Sequence, residues 1–216
     1  MILVLDNEIR SEYRYLGPEI AHFIPDSEYH VLVEEPDHPR VEAFEGVVLG
    51  GSTDSVYDED HGEWFDAALG VVDRCIAGGI PLLGICHGHQ LINYALGGVV
   101  EGDRRRATFV EMTDYRETGV LEGVNPIVPV LHGDLVTELG EGMESVARTD
   151  YDPHFCSVHR DVPVWTVQFH PEFTERVEDR PSDWDPGSPD FEGVNATRVL
   201  ENFAALCVDE AEPAVR

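Results

Sequence analysis

The 216-residue chain carries 43 Asp and Glu against 14 basic residues, every one of them arginine, for a formal charge of −29. Without lysine there is no Walker-type phosphate loop and no Schiff-base chemistry. So negative a chain also excludes DNA and RNA as partners, because their phosphates are bound by Lys and Arg.

The elements follow in chain order. Ile2 to Asp6 is a short apolar run that reads as a buried strand, and His30 to Glu35, Gly46 to Gly51 and Ile80 to Cys86 repeat the pattern. Runs without polar alternation predict parallel strands covered on both faces. Between the third and fourth runs, Trp64, Phe65, Ala68, Leu69, Val72, Cys75 and Ile76 share one helical face, and Gly78-Gly79 ends that helix. A second helix follows Cys86, with Leu91, Ile92, Ala95 and Leu96 apolar, and stops at Gly97-Gly98. Strand and helix in alternation predict a three-layer α/β domain.

The second half reads as strands at Ala107–Tyr115, Pro126–Leu131, Glu144–Thr149, Phe155–His159 and Val162–Phe169. They are expected to extend the sheet in antiparallel fashion. Residues 175–192, rich in acids and proline, read as a long surface loop, either a solvated insertion or a lid or docking surface. A last helix is expected from Val194 to Val208, with Val199, Leu200, Phe203 and Leu206 inward. No linker or repeat interrupts the chain, so residues 1–216 are expected to form a single domain.

The compartment is expected to be the cytoplasm. The start of the chain lacks a signal-peptide pattern, no apolar stretch is long enough to span a membrane, and the four cysteines are scattered without a C-x-x-C pair. An acidic, lysine-free surface suits the salty cytoplasm of a halophile, where salt screens self-repulsion. His87/His89 and His154/His159 are the close histidine pairs, and no second ligand cluster accompanies them, so neither a metal nor a cofactor is expected.

The chemistry concentrates in two places. Gly84-Ile85-Cys86-His87-Gly88 lies where a buried strand meets a helix, the G-x-nucleophile-x-G arrangement of a nucleophile elbow with Cys in place of Ser. Side chains at the flanking glycines would collide across so sharp a turn. The turn presents the sulfur at the carboxyl edge of the sheet, near a helix N-terminus that favours thiolate. Gln168-Phe169-His170-Pro171-Glu172 follows a strong strand. It offers a base, His170, and a carboxylate, Glu172, that can fix the imidazole tautomer.

The pair GICHGHQ and QFHPE, about 80 residues apart, resembles the elbow and base motifs of class I, triad-type glutamine amidotransferases. Within that family the chain is most similar to the glutaminase domains of GMP synthases. GGSTDSVYD at 50–58 and LHGDLV at 131–136 resemble their motifs, while Ser52, His87 and His89 depart from the usual residues. The resemblance implies a flavodoxin-like fold and hydrolysis of L-glutamine to glutamate and ammonia through a γ-glutamyl thioester. In that reading Cys86 attacks, His170 transfers the proton and Glu172 steadies the imidazolium. Backbone N–H groups near Gly50-Gly51 and of His87 would hold the oxyanion, and Gln90, His132, Gly133 and Asp134 would frame the α-amino and α-carboxylate end. His89 is read as a helix-packing residue. The chain is too short to hold an ATP-dependent synthetase as well, so a separate synthetase subunit is the implied partner. Two alternatives stand beside this: a stand-alone γ-glutamyl hydrolase or peptidase, and a non-enzymatic relative that binds a partner.

Two other features lead elsewhere. Gly50 to Ser55 faintly echoes the S-G-G-x-D-S loop of ATP pyrophosphatases, but the leading Ser is missing and the spacing is one residue too long. Arg104-Arg105-Arg106 is the one basic cluster, read either as a surface patch paired with nearby acids or as a contact for a partner or nucleotide.

Overall fold

The computed structural model describes residues 1–37 and 40–211. Five strands, β1 (Ile2–Asp6), β2 (Ser27–Val31), β3 (Gly46–Leu49), β4 (Leu82–Ile85) and β9 (Val164–Val167), form the parallel part of a seven-stranded sheet. Two antiparallel strands, β8 (Cys156–His159) and β7 (Met143–Ala147), complete it in the order β2-β1-β3-β4-β9-β8-β7. Alternate residues of the central strands face opposite layers. Ile2, Val4 and Val48 pack with α1 (Leu16–Phe23) and α4 (Arg198–Ala211). Leu3, Leu5, Val47 and Leu49 pack with α2 (Glu63–Gly78) and α3 (His87–Ala95). This is the expected three-layer α/β fold. No helix among the described residues is long and apolar enough to cross a membrane.

The strand order reverses between β1 and β3, the first strand's neighbours being β2 on one side and β3 on the other. In open α/β sheets a crevice opens at such a switch, outside the carboxyl ends of the strands. Asp6, Gly50 and Cys86, the residues at or just past the ends of β1, β3 and β4, therefore converge on one place.

Several elements differ from expectation. The helix α1 is not among the expected elements and contains Gly17 and Pro18. Proline is tolerated in a first helical turn, and Gly17 leaves room for Asp6, whose Oδ2 would lie 2.3 Å from a Cβ there. The second strand is Ser27–Val31 and not His30 to Glu35, because pairing with β1 sets Ser27 opposite Ile2 and Val31 opposite Asp6, where β1 ends. On α2 the buried face includes Val71, and Leu69 and Ile76 are only partly buried. The helix α4 begins at Arg198 and not at Val194, and Cys207 is buried where Leu206 is only partly so.

The largest correction concerns β5 (Val99–Glu111) and β6 (Ile127–Glu138). They do not extend the main sheet but pair with each other as a separate two-stranded antiparallel ribbon, with an irregular register between Gly102 and Arg106. The arginine triplet and neighbouring acids hide the first half of β5 from a search for apolar runs. Likewise, β9 is not an antiparallel addition but the parallel neighbour of β4, with Ile85 opposite Val167.

Residues 175–192 are not a merely solvated loop. Val177, Trp184 and Phe191 join Phe173, Ala107 and Leu131 in a small third apolar cluster. The Trp184 ring stands at 4.6 Å from Phe173 and 5.1 Å from Phe109, and the Asp185 N–H donates to the Ala107 carbonyl at 2.9 Å. Packing of this kind holds an irregular segment in one place.

Candidate active site

Cys86 sits between β4 and α3 with φ 53° and ψ −106°, a conformation that costs a non-glycine residue of order 1–3 kcal/mol and is typical of functional turns. Its N–H donates to the Val167 carbonyl at 2.8 Å, and its carbonyl accepts from Gln90 N at 3.1 Å, so the strained residue is pinned from both sides. The flanking glycines are required sterically. A Cβ on Gly84 would lie 2.5 Å from the Gly88 carbonyl oxygen, and one on Gly88 would lie 2.2 Å from that of Leu49.

The parallel pairing of β4 with β9 brings the two motifs together. His170 and Glu172 are buried, and His170 Nδ1 donates to Glu172 Oε1 at 2.7 Å. The Cys86 sulfur, 3.9 Å from the Leu131 carbonyl oxygen, acts electrostatically on the ring. Burial disfavours the imidazolium, but the Cys86 sulfur and then the Glu172 carboxylate more than offset it, raising His170 to about 10. The protonated ring therefore contributes stability that is complete below its ordinary value of 6.5 and is lost as pH rises through about 10. A test follows from these opposed causes. In Cys86→Ser the upward influence of the sulfur is gone, and the His170 titration is expected to move down, as followed by imidazole ¹⁵N NMR. An unmoved titration would exclude the sulfur as a cause.

The remaining predicted residues surround this pair. Gly51 lies over it, since a Cβ there would be 3.1 Å from His170 Cε1 and 3.9 Å from Cys86 Cβ. Gly50 is fixed by its N–H to the Leu5 carbonyl at 2.9 Å and by Asn7, whose side-chain amide donates to its carbonyl at 3.3 Å. Gln90 reaches back from α3, its amide nitrogen donating to the Asp134 carbonyl and to Gln168 Oε1, both at 3.2 Å. His132 donates from Nδ1 to the Asp134 carbonyl at 3.2 Å and accepts at Nε2 from the Tyr151 hydroxyl at 3.0 Å. Burial holds its value down at about 4, so the ring is neutral and that tautomer is locked. Gly133 and Asp134 line the same cavity.

His87 is the exception. Its ring is fully buried at a 5.9 Å centroid distance from Trp64 and does not line the cavity, which leaves only its backbone near the elbow. His89 packs behind the elbow as expected, with Nδ1 2.7 Å from Thr166 Oγ1. The arginine triplet divides. Arg106 is buried, its guanidinium 3.6 Å from the Tyr151 ring centroid and hydrogen-bonded to Asp103 at 2.6 Å. Arg105 faces the cavity and pairs with Asp183 at 2.9 Å.

Sequence reasoning missed much of the wall. Glu8 is buried in the cavity lining and accepts from Thr53 N at 2.8 Å and Thr53 Oγ1 at 2.7 Å. The Asp134 carboxylate accepts from the hydroxyls of Ser55 at 2.6 Å and Tyr57 at 2.9 Å, tying the 50–58 segment to the ribbon. Tyr15, Leu16 and Gly17 come from the start of α1, and Pro181, Ser182 and Asp183 from the acidic segment. Asp6 alone had a local signal, an acid at the carboxyl end of the first strand. The whole cavity measures about 590 Å³.

Comparison with known proteins identifies the family. The family model described as glutamine amidotransferase class-I matches residues 7–181. The GMP synthase (glutamine-hydrolyzing) of Wolinella succinogenes is 32% identical over 166 residues, covering 70% of this chain and 30% of that protein. The enzyme of the same name from Streptococcus pyogenes is 35% identical over 189 residues, covering 82% of this chain and 34% of that one. The chain thus spans about a third of the length of these curated relatives. A crystal structure of a glutamine amido transferase from Methylobacillus flagellatus superposes with a TM-score of 0.70 at 16% identity, covering 100% of this chain and 96% of the other, a likeness of fold.

Proposed function

This chain belongs to the class-I glutamine amidotransferase family, and from that premise we propose that it hydrolyses L-glutamine to glutamate and ammonia through a Cys86-His170-Glu172 triad. The observation that carries this reading is the buried His170, hydrogen-bonded to Glu172 and converging with a strained Cys86 beneath Gly51.

Cys86 Sγ attacks the side-chain amide carbon of glutamine, and the carbonyl oxygen gathers negative charge that backbone N–H groups around Gly51 and His87 stabilise. The C–N bond breaks as His170 gives its proton to the departing nitrogen, releasing ammonia and leaving a γ-glutamyl thioester. His170 then takes a proton from water, which attacks the thioester and frees glutamate and the Cys86 sulfur. Glu172 keeps Nδ1 protonated and supports the imidazolium in both steps. Gln90, Gly133 and Asp134 frame the α-amino and α-carboxylate end, largely through backbone groups.

The names of the relatives support delivery of the ammonia to an ATP-dependent synthetase. The test is ammonia release from L-glutamine by the purified protein. It belongs in multimolar KCl, because at −29 the chain repels itself at low salt. Release is expected, slow alone and faster with a synthetase carrying its activated nucleotide. Fast release that no synthetase alters favours a free hydrolase, and none under either condition from a folded protein overturns the proposal.

A further inference from the structure

The segment from Gly50 to Asp58 carries the backbone that covers the Cys86–His170 pair, and it belongs to no helix or strand. A glycine has no side chain to hold it in place, so Gly51 depends on its neighbours. On one side Gly50 is fixed, its N–H donating to the Leu5 carbonyl at 2.9 Å and its carbonyl accepting from the Asn7 amide at 3.3 Å. On the other side the nearest tie is Thr53. Its N–H and its hydroxyl both donate to Glu8, at 2.8 and 2.7 Å. Residues 5–8 at the end of β1 therefore grip the segment both before and after Gly51. The ties farther along, Asp54 to His61 and the hydroxyls of Ser55 and Tyr57 to Asp134, hold the rest of the segment.

Glu8 is a costly group for this task. It is buried, and its carboxylate faces N–H and O–H groups and not a cation: Thr53 twice, and Arg10 N at 2.8 Å. Burial pushes its carboxyl above the ordinary value. A neutral amide or hydroxyl would tie a loop with a smaller desolvation penalty. What the carboxylate adds is a pattern that cannot invert. It only accepts, so it takes both donors of Thr53 at once and leaves that residue one orientation. Glu8 is itself held to the sheet. Its N–H donates to Asp6 Oδ1 at 2.9 Å, and its carbonyl accepts from Arg14 Nε at 2.8 Å.

We propose that Glu8 is a positioning residue for glutamine hydrolysis, clasping Thr53 so that the Gly51 backbone stands where the developing oxyanion needs it. The inference rests on the Cys86 chemistry described above, and Glu8 acts through Thr53, not on a reacting atom. Fixed donors act on charge that appears only in the transition state, and deleting one slows acyl transfer by about 10²–10³-fold. A donor displaced and not deleted should cost less, about tenfold. The α-amino and α-carboxylate end is framed elsewhere, so KM should not follow.

The experiment is a double-mutant cycle on ammonia release from L-glutamine in multimolar KCl. Glu8→Ala is expected to lower kcat about tenfold with KM within about twofold, and Thr53→Val, which removes one of the two donors, to lower it by less. The double variant is expected to be no slower than Glu8→Ala, and Thr53→Ser, which keeps the hydroxyl, to recover most of the Thr53→Val loss. Iodoacetamide, whose reaction with a thiolate forms no oxyanion, should label Cys86 at the same rate in every variant, read by peptide mass spectrometry. An unchanged kcat in Glu8→Ala, losses that multiply in the double variant, or a loss carried by KM overturns the proposal and leaves glutamine hydrolysis standing. Altered labelling overturns it too, because Glu8 would then support the elbow itself. Should Glu8→Ala not fold, Thr53→Val against Thr53→Ser decides by the same kcat and labelling criteria, since Thr53 is exposed and tolerates the exchange. No ammonia from the folded, unmodified protein removes both the hydrolysis and the role of Glu8 in it.

Discussion

Cys86→Ala is expected to abolish ammonia release from L-glutamine, a loss on the order of 10⁵-fold or to background, while leaving the protein folded. The magnitude follows from the step removed. Without Sγ there is no nucleophile and no covalent intermediate, so only oriented attack by water remains. The fold should survive because the elbow is held by backbone: Cys86 N to the Val167 carbonyl, and Gln90 N to the Cys86 carbonyl. The substitution keeps a Cβ at φ 53°, so the strain is carried over and not relieved. Unchanged circular dichroism with lost activity is the expected pair of results, read with a coupled glutamate assay and a thermal melt in the same KCl. Equal ammonia release from the two proteins would refute covalent catalysis by this residue.

Gly88→Ala should instead damage the fold. Its Cβ would come within 2.2 Å of the Leu49 carbonyl oxygen and 2.9 Å of the Leu49 carbon, backbone atoms in the middle of the sheet that no side-chain rotation can move. Overpacking against backbone costs up to about 3 kcal/mol, and for a domain of this size that is a fall of roughly 6–12 °C in Tm. Activity should fall with it, because the same displacement moves Cys86 relative to Gly51. Gly70→Ala, on α2 with nothing within 4 Å of its Cβ, is the control. There the helix gains about 0.5–1 kcal/mol from the better helix former. A Gly88→Ala protein as stable as Gly70→Ala would show that α3 can slide away from β3, contrary to the packing of Leu91 and Ile92 against Leu49.

What could be read from residues alone was local. The central strands β1, β3 and β4 announce themselves as apolar runs because both of their faces are covered. The helix α2 is legible in its period, and the elbow in the two glycines that a sharp turn demands. His170 and Glu172 were legible for the same reason, being two residues apart on one turn. Their meeting with Cys86 was inferred from resemblance, and it is the parallel pairing of β4 with β9 that brings it about.

The tertiary structure decided everything that depends on distant partners. Gly17 in α1 is explained only by Asp6, which needs the space a Cβ would fill. The first half of β5 is polar and shows no apolar run, and the separation of the β5–β6 ribbon from the main sheet is a matter of pairing alone. Glu8 meets Thr53, Asp134 meets Ser55 and Tyr57, and Arg105 meets Asp183 across 45 to 79 residues of chain. Hydrogen bonds and ion pairs impose no period on a sequence. Hydrophobic burial and backbone sterics do, and so the scaffold was written in the order of the residues, whereas most of the cavity wall existed only once the chain had folded.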